Sequence, residues 1–231
     1  MASIDDVGDV VVITGSRISI GHRAVGGADL EFLGGVANEH GHIALEQSFH
    51  AGLVWTLRLG PDSPPAMVGA RELQPGEAHS FFDGDEIRLG AAAEFRVHQP
   101  DVSSASVVLE LIHGTEIDGA RRVLLLAPGE SARARIGSRA NRHFVVPGFG
   151  ADIEILRSQS GAHGDPGDPE VSSAPSVVLR CSAGVRRADA APDGATMWAT
   201  PLPLERRVFV SSGADPGRLP PFGIALRPLS G

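Results

Sequence analysis

The stretch LQPGEAHSFFDGDEIRLGAAAEFRV, from Leu73 to Val97, alternates apolar and polar residues on both sides of a turn signal. Ile87 and Leu89 fall on one face of an extended segment within it. A period of two residues is typical of a β-strand with one buried face. Asp83-Gly84, placed between alternating runs, is a strong signal for the turn of a β-hairpin. The stretch therefore predicts antiparallel strands joined by a tight turn.

The same alternation recurs along the whole chain, between 29 glycines and 17 prolines that act as breaks. No stretch keeps a period of 3.6 residues over ten positions, so helices are not expected. Many short strands separated by turn residues favour a β-sandwich. We therefore predict an all-β protein. The supporting runs are LVWTLRLG, SVVLELIHG, RRVLLLAPG, ADIEILRS, SVVLRCSAG, RRVFVSSG and FGIALRP.

The amino-acid composition argues against several classes of function. Hydrophobic residues make up 42% of the 231 residues, which predicts a packed core. All 20 basic residues are arginine, so lysine-dependent chemistry is excluded. The net charge of −8 argues against nucleic-acid binding and against an anionic membrane surface.

The chain also lacks the usual signals for secretion and catalysis. Its N-terminus does not resemble a signal peptide, and no segment has 18 consecutive apolar residues. The single cysteine, Cys181, lies in an apolar run and is predicted to be a core thiol. There is no nucleophile-elbow, zinc-protease or phosphate-loop motif. We therefore expect a cytoplasmic, non-catalytic protein.

An internal repeat predicts two domains. Ile-Gly-x-Arg at 20–23 is followed after four residues by Ala-Asp-Leu-Glu, and the same motif at 136–139 is followed after eleven by Ala-Asp-Ile-Glu. A polar stretch at 98–108 lies between the copies. Tandem copies of this spacing indicate two similar units. We place one β-sandwich at 1–100 and a divergent second one at 105–231, with a long loop near 158–176.

The first copy resembles the forkhead-associated (FHA) domain family over roughly residues 8 to 98. The resemblance rests on Ile20-Gly21 before a loop, on Asp29-Leu30, on VANEHGHI at 36–43 and most of all on the closing stretch at 73–97. The second copy is similar to the family only through its opening strands. The resemblance implies two tandem FHA-like β-sandwiches whose loops bind phosphothreonine peptides.

The residues that such a domain would use are largely replaced. The family has Gly-Arg at a strand end, Ser-Arg-x-His in the next loop and Asn-Gly in a later loop. Here Gly21 is followed by His22, and the second slot is Ala-Asn-Glu-His. The later slot reads Val-Gly-Ala, without the amide. The candidate residues for peptide or phosphate binding are His22, Arg23, Asn38, His40, Gly69, Arg71, Ser138 and Arg139.

Metal and cofactor sites are not expected. His40 and His42, with His50 nearby, could share a face of a strand, but a zinc site needs three or four ligands at fixed positions. The acidic run at 83–86 lacks the further ligands of a calcium loop. A turn explains that run without a ligand.

These observations predict a protein-interaction module of the FHA type. Its partner would be a protein, phosphorylated on threonine if the arginines read phosphate in Ser/Thr-kinase signalling. The alternative is a phosphate-independent scaffold or assembly subunit that docks a fixed partner.

Overall fold

The computed structural model of the chain describes residues 2–4, 6–49, 52–101, 104–127, 133–147, 149, 152–157, 177–187, 197–201, 207–210 and 222–226. Within these ranges the chain forms β-strands and no helix, which confirms the predicted all-β fold. The loop predicted near 158–176 lies outside the described residues. The first eleven strands are β1 Ala2–Ile4, β2 Gly8–Thr14, β3 Arg17–His22, β4 Leu30–Phe32, β5 Glu39–Ser48, β6 Gly52–Leu59, β7 Ala66–Val68, β8 Arg71–Leu73, β9 Ala78–Phe81, β10 Glu86–Leu89 and β11 Ala93–His98. The others are β12 Val107–Gly114, β13 Arg122–Leu126, β14 Arg133–Gly137, β15 Phe144–Val145, β16 Ile153–Arg157, β17 Val177–Arg187, β18 Met197–Pro201, β19 Arg207–Val210 and β20 Phe222–Leu226.

The strands form two sheets. The smaller one has the order β4-β3-β5-β6-β9. The larger one has the order β15-β14-β16-β17-β19-β20-β1-β2-β13-β12-β11-β10-β7-β8, with β18 also paired to β17. Most neighbours are antiparallel, and the exceptions are the parallel pairs β3 with β4, β14 with β15, and β2 with β13.

The small sheet packs face to face against the end of the large sheet that contains β13, β12, β11, β10 and β7. Phe32 of β4 meets Phe95 of β11 edge to face, with ring centroids 6.1 Å apart. The alternation read from the sequence is the cause, because Trp55 and Leu57 point into this core and are almost wholly buried. The Trp55 indole N–H donates to the carbonyl of Ala105 at 2.7 Å, so even its polar atom is satisfied. This packing is a β-sandwich.

Two regions of the chain repeat one strand arrangement. In the N-terminal repeat, β3 to β11, strand β3 pairs in parallel with β4 on one side and antiparallel with β5 on the other. Two further antiparallel strands, β6 and β9, follow β5 in the sheet. The C-terminal repeat, β14 to β20, has the same arrangement in β15-β14-β16-β17-β18. Ile20 and Gly21 correspond in register to Ile136 and Gly137.

The second part of the sequence repeat aligns differently from the prediction. Ala-Asp-Leu-Glu leads into β4, the parallel partner of β3. The matching Ala-Asp-Ile-Glu instead leads into β16, the antiparallel partner of β14. The true counterpart of Leu30 is Phe144, because it pairs with Ile136 as Leu30 pairs with Ile20. Ala-Asp-Leu-Glu and Ala-Asp-Ile-Glu are thus similar in sequence but occupy different positions in the strand arrangement.

A hairpin lies in front of each repeat, and each hairpin completes the sheet of the other repeat. The N-terminal hairpin, β1–β2, leads into β3 but pairs through β1 with β20. The central hairpin, β12–β13, leads into β14 but pairs through β12 with β11. The hairpins meet at the parallel pair β2 and β13. The strand pairing therefore crosses the domain boundary predicted near residue 100, and that boundary stays a prediction.

The polar stretch at 98–108 is partly buried at residues 98–101 and buried at residues 104–108. Ser104 and Ser106 have no exposed surface. Ser104 Oγ bonds to both the carbonyl and the N–H of Arg133, and the carbonyl of Ser106 lies 3.2 Å from the His143 Nε2. The carbonyls of Ser104, Ala105 and Ser106 thus accept from the side chains of Gln99, Trp55 and His143, which lie in both repeats and at their junction.

The turn at Asp83-Gly84 is real, but it joins strands of different sheets. It connects β9 of the small sheet to β10 of the large one. Asp83 Oδ1 accepts from the N–H of Gln99 at 2.6 Å, and Asp85 Oδ2 accepts from the N–H of Phe82 at 2.8 Å. The carboxylates of this run thus hold the turn, and the hairpin of this region is β10–β11.

Candidate functional site

The end of β3 and the loop before β5 bring three candidate residues together. The N–H of His22 donates to the carbonyl of Asn38 at 3.3 Å, and the N–H of Arg23 donates to the carbonyl of Phe32 at 2.9 Å. A Cβ on Gly21 would lie 2.5 Å from the same Asn38 oxygen. Only glycine therefore permits this approach of the two backbones. His22, Arg23 and Asn38 form one edge of the N-terminal repeat.

The His22 imidazole and the Arg23 guanidinium are held by different partners. The Nδ1 of His22 accepts from the N–H of Ala24 at 3.0 Å, which fixes the imidazole over the turn. The Arg23 side chain is 49% exposed, and its Nη2 lies 3.6 Å from Oδ1 of Asp118. Asp118 stands in the β12–β13 turn, so the central hairpin supplies the partner of this arginine.

Apolar side chains are exposed beside these polar groups. Val25, in the loop after β3, is 59% exposed, and Leu33, after β4, is 62% exposed. We call Val25, Leu33, His22, Arg23 and Asn38 the loop-end surface. Exposed apolar groups next to an arginine and an amide are typical of surfaces that bind other proteins.

His40 is structural rather than exposed. His40 is the extra residue of a β-bulge in β5, because Ile20 pairs with Gly41 and Gly21 pairs with Glu39. Its side chain is fully buried, and its Nδ1 accepts from the N–H of Ala37 at 3.4 Å. Burial lowers the pKa of its imidazole. The Nε2 has no hydrogen-bond partner among the described residues.

The carbonyl of His40 anchors the loop after β6. It accepts from the N–H of Gly60 at 2.9 Å and from the hydroxyl of Ser63. Ser63 is thus a buried residue of this region that the sequence analysis did not select. The signal for it was the run of turn residues PDSPP at 61–65, directly after the apolar strand β6.

Gly69 and Arg71 lie at the other end of the sandwich. Gly69 occupies the β7–β8 turn with a φ of 57°, and its N–H donates to the carbonyl of Glu86 at the start of β10. The loop-end surface is instead near the other end of β10, since a Cβ on Gly90 would lie 2.8 Å from the carbonyl oxygen of Gly35. The structure therefore does not bring Gly69 and Arg71 to the other candidates.

Ser138 and Arg139 follow β14 and are exposed, at the positions that His22 and Arg23 occupy in the N-terminal repeat. The position of His40 is taken by Asp152. The guanidinium of Arg142 binds Asp152 through two hydrogen bonds of 2.8 and 2.9 Å. Arg142 lowers the pKa of Asp152 most, and Arg139 contributes to the same shift. The charges of Arg142 and Asp152 are thus neutralised inside the C-terminal repeat, whereas Arg139 stays exposed.

A cleft of about 320 Å³ lies between the repeats, and several of its charged groups are paired inside the protein. Glu110 accepts from Arg122 at 2.8 Å and lies 3.0 Å from Nε2 of His98. His143, also in the lining, is buried between the N–H of Arg135 and the carbonyl of Ser106. Burial lowers the pKa of His143 to about 4, so its imidazole is neutral at neutral pH. Glu110, Arg122 and His143 of the cleft are therefore already bound by other groups of the protein.

The histidines considered as metal ligands do not converge. His40 is buried in the bulge, whereas His42 is partly exposed beside Arg17, and His50 lies outside the described residues. In the part of the chain that the structure describes, no group of three or more His, Cys, Asp or Glu side chains is arranged to hold a metal ion. Nor do these residues include a helix long and apolar enough to cross a membrane.

No protein-family model matches the chain, and no curated protein or solved structure is significantly similar to it.

Proposed function

We propose that this chain is a non-catalytic protein-interaction module of the FHA type. Its N-terminal repeat docks a peptide segment of a protein partner on the loop-end surface, and Arg23 contacts a phosphothreonine of that segment. The observation that carries the proposal is the juxtaposition of His22, Arg23 and Asn38 at one solvent-facing edge, beside the exposed Val25 and Leu33.

Each group has a role in such binding. The Arg23 guanidinium offers a planar fork of donors that suits a phosphate carrying nearly two negative charges. The Asn38 side chain is exposed and can bond to a peptide backbone. Val25 and Leu33 can bury apolar side chains of the peptide, which adds affinity that does not depend on the phosphate.

Arg23 is available to a phosphate despite its ion pair with Asp118. Both side chains of this pair are substantially exposed, and their closest atoms are 3.6 Å apart. Exposed pairs of this kind contribute only about 0–1 kcal/mol. A phosphate, with a larger charge and several acceptors, can therefore displace the carboxylate.

The test compares a degenerate peptide library centred on phosphothreonine with the same library carrying threonine, titrated by fluorescence anisotropy. We expect tighter binding of the phosphorylated library, lost by about tenfold or more in Arg23→Ala because a charge-assisted contact is removed. Asp118→Asn is the matched variant. Asn tolerates the φ of 50° at this position, and removing the competing charge should tighten binding. Arg88→Ala, in an arginine paired to Glu94 on the large sheet, should leave binding unchanged.

A second candidate function is docking of a fixed partner without phosphate. The Arg23–Asp118 pair favours it, because a carboxylate already occupies the side of the arginine. In that case the phosphorylated and unphosphorylated libraries bind equally or not at all. Neither Arg23→Ala nor Asp118→Asn then produces a difference in affinity between the two libraries. That result would remove the phosphate-reading proposal.

A further inference from the structure

The outer face of the small sheet carries two arginines that flank a histidine. Ser19 of β3, His42 of β5 and Arg58 of β6 are direct neighbours in one cross-strand row, and Arg17 precedes Ser19 on the same face. The Arg17 Nη2 lies 3.4 Å from Nδ1 of His42. Burial and then the charges of Arg17 and Arg58 lower the pKa of this imidazole, while Glu46 opposes the shift.

The C-terminal repeat has the same row with a carboxylate in its centre. Arg135 of β14, Glu154 of β16 and Arg180 of β17 are neighbours there, and Arg133 precedes Arg135. Glu154 therefore stands at the position of His42, and Arg133 and Arg180 stand at the positions of Arg17 and Arg58. Three arginines converge on Glu154, at 3.3 Å from Arg135 and at 3.8 Å from each of the others.

The N-terminal repeat keeps the two outer arginines but not the central acid. Among the described residues no carboxylate lies within 4 Å of the Arg17 guanidinium, and Arg58 reaches only Glu46, at 3.7 Å between exposed side chains. The nearby Asp29 is held by the N–H and hydroxyl of Ser19, at 2.8 and 2.7 Å. Both arginines thus retain donors for a further acceptor.

The floor beside these arginines consists of short, uncharged side chains. Ala44 of β5 pairs with Thr56 of β6, and Thr56 pairs with Ser80 of β9. The hydroxyls of Thr56 and Ser80 lie 3.1 Å apart. These side chains are short and uncharged, and Thr56 is itself buried, so the guanidinium groups of Arg17 and Arg58 are the cations that an approaching carboxylate would meet.

We propose that the outer face of the small sheet binds an acidic segment of a protein partner, with an Asp or Glu carboxylate between Arg17 and Arg58 in the place that Glu154 fills in the C-terminal repeat. We call Arg17, His42 and Arg58 the sheet-face cluster. This surface is separate from the loop-end surface and does not require the phosphate reading proposed above. The charge complementarity is the argument for an acidic occupant, since the other repeat satisfies the same arginines with a carboxylate.

The experiment titrates a labelled oligoglutamate peptide into the full chain at low ionic strength, where exposed charge pairs are weakly screened, with oligoglutamine of the same length as the control. We expect binding of oligoglutamate alone. The double variant Arg17→Gln/Arg58→Gln should lose about tenfold or more in affinity. His42→Glu should also lose binding, because its own carboxylate fills the site as Glu154 does. Thermal melts of each variant check that the fold is kept.

Two controls separate this proposal from the proposed function. Arg88→Ala should bind oligoglutamate like the unaltered chain, because Arg88 is paired with Glu94 on the other sheet. Arg23→Ala should do so as well, since Arg23 belongs to the loop-end surface. The proposal is overturned if oligoglutamate does not bind, if the double variant binds it equally well, or if binding is lost in Arg23→Ala instead.

Discussion

The two repeats place the same strands around different chemistry. At the end of β3 the N-terminal repeat leaves an arginine, an amide and two apolar side chains exposed, whereas the C-terminal repeat encloses Arg142 against Asp152. On the outer sheet face, His42 replaces the acid that Glu154 provides in the other copy. The difference shows that one strand arrangement can pair its arginines closely, as at Arg142, or loosely and in solvent, as at Arg23 and Arg58. We therefore propose that a partner binds to the N-terminal repeat.

The largest expected effect tests the exchange of hairpins. Ile4 of β1 and Leu109 of β12 are both buried, and truncating either to alanine should lower the free energy of unfolding by about 2–5 kcal/mol. Hydrogen exchange locates the loss. Ile4→Ala should loosen β20, its partner in the distant repeat, and Leu109→Ala should loosen β11. If each variant instead loosened the repeat that follows its own hairpin, the exchanged arrangement would be wrong.

The next effect concerns His143, at the junction of the repeats. Its folded pKa of about 4 is below the ordinary value of 6.5, so the unfolded chain binds the proton more readily between these values. Stability should therefore be fully present above about pH 6.5 and fall towards pH 4, by about 3 kcal/mol in total.

Urea unfolding at several pH values checks this, with His143→Gln as the comparison. The advantage of the unaltered chain over the glutamine variant should shrink on acidification, because glutamine does not titrate. The lowered pKa of His40 acts in the same direction and is present in both chains. A difference between the two chains that stays constant with pH would contradict the assignment of His143 as a buried neutral group.

A smaller effect is expected from alanine at Gly21. Its Cβ would meet the backbone oxygen of Asn38 at 2.5 Å, so the loop must move at a cost of about 1–3 kcal/mol. Gly34→Ala is the matched control, because a Cβ there meets nothing within 4 Å. Thermal unfolding should separate the two variants, and Gly21→Ala should also weaken peptide binding at the loop-end surface. Equal melting temperatures would show that the backbones at Gly21 and Asn38 are not in close contact.

The sequence predicts the local features of this fold better than its long-range pairing. Alternation at Trp55 and Leu57 predicts both strand and buried face, because a side chain's face depends only on its position along the strand. The pairing of β1 with β20 leaves no such trace, since an alternating strand fits either repeat equally well. The Asp83-Gly84 turn was likewise predictable, but not that it would cross between sheets.

The candidate site divides in the same way. His22, Arg23 and Asn38 are close because a strand end and the next loop are near in sequence. Gly69 was predicted as a binding residue only from its place in the motif. The short strand β7 carries it to the opposite end of the sandwich. The burial of His40 depends on a bulge, and one inserted residue reverses the face that a regular strand would give. The equivalence of His42 and Glu154 could not be predicted from the sequence, because it depends on the strand register in both sheets.

Amide hydrogen exchange with and without the degenerate phosphothreonine library tests the central claim most directly, because it locates the binding surface within the chain. We expect protection at residues 22–25 and 33–38 of the N-terminal repeat, and none at residues 138–147 of the C-terminal repeat. Protection centred on 138–147, or on the cleft between the repeats, would contradict it.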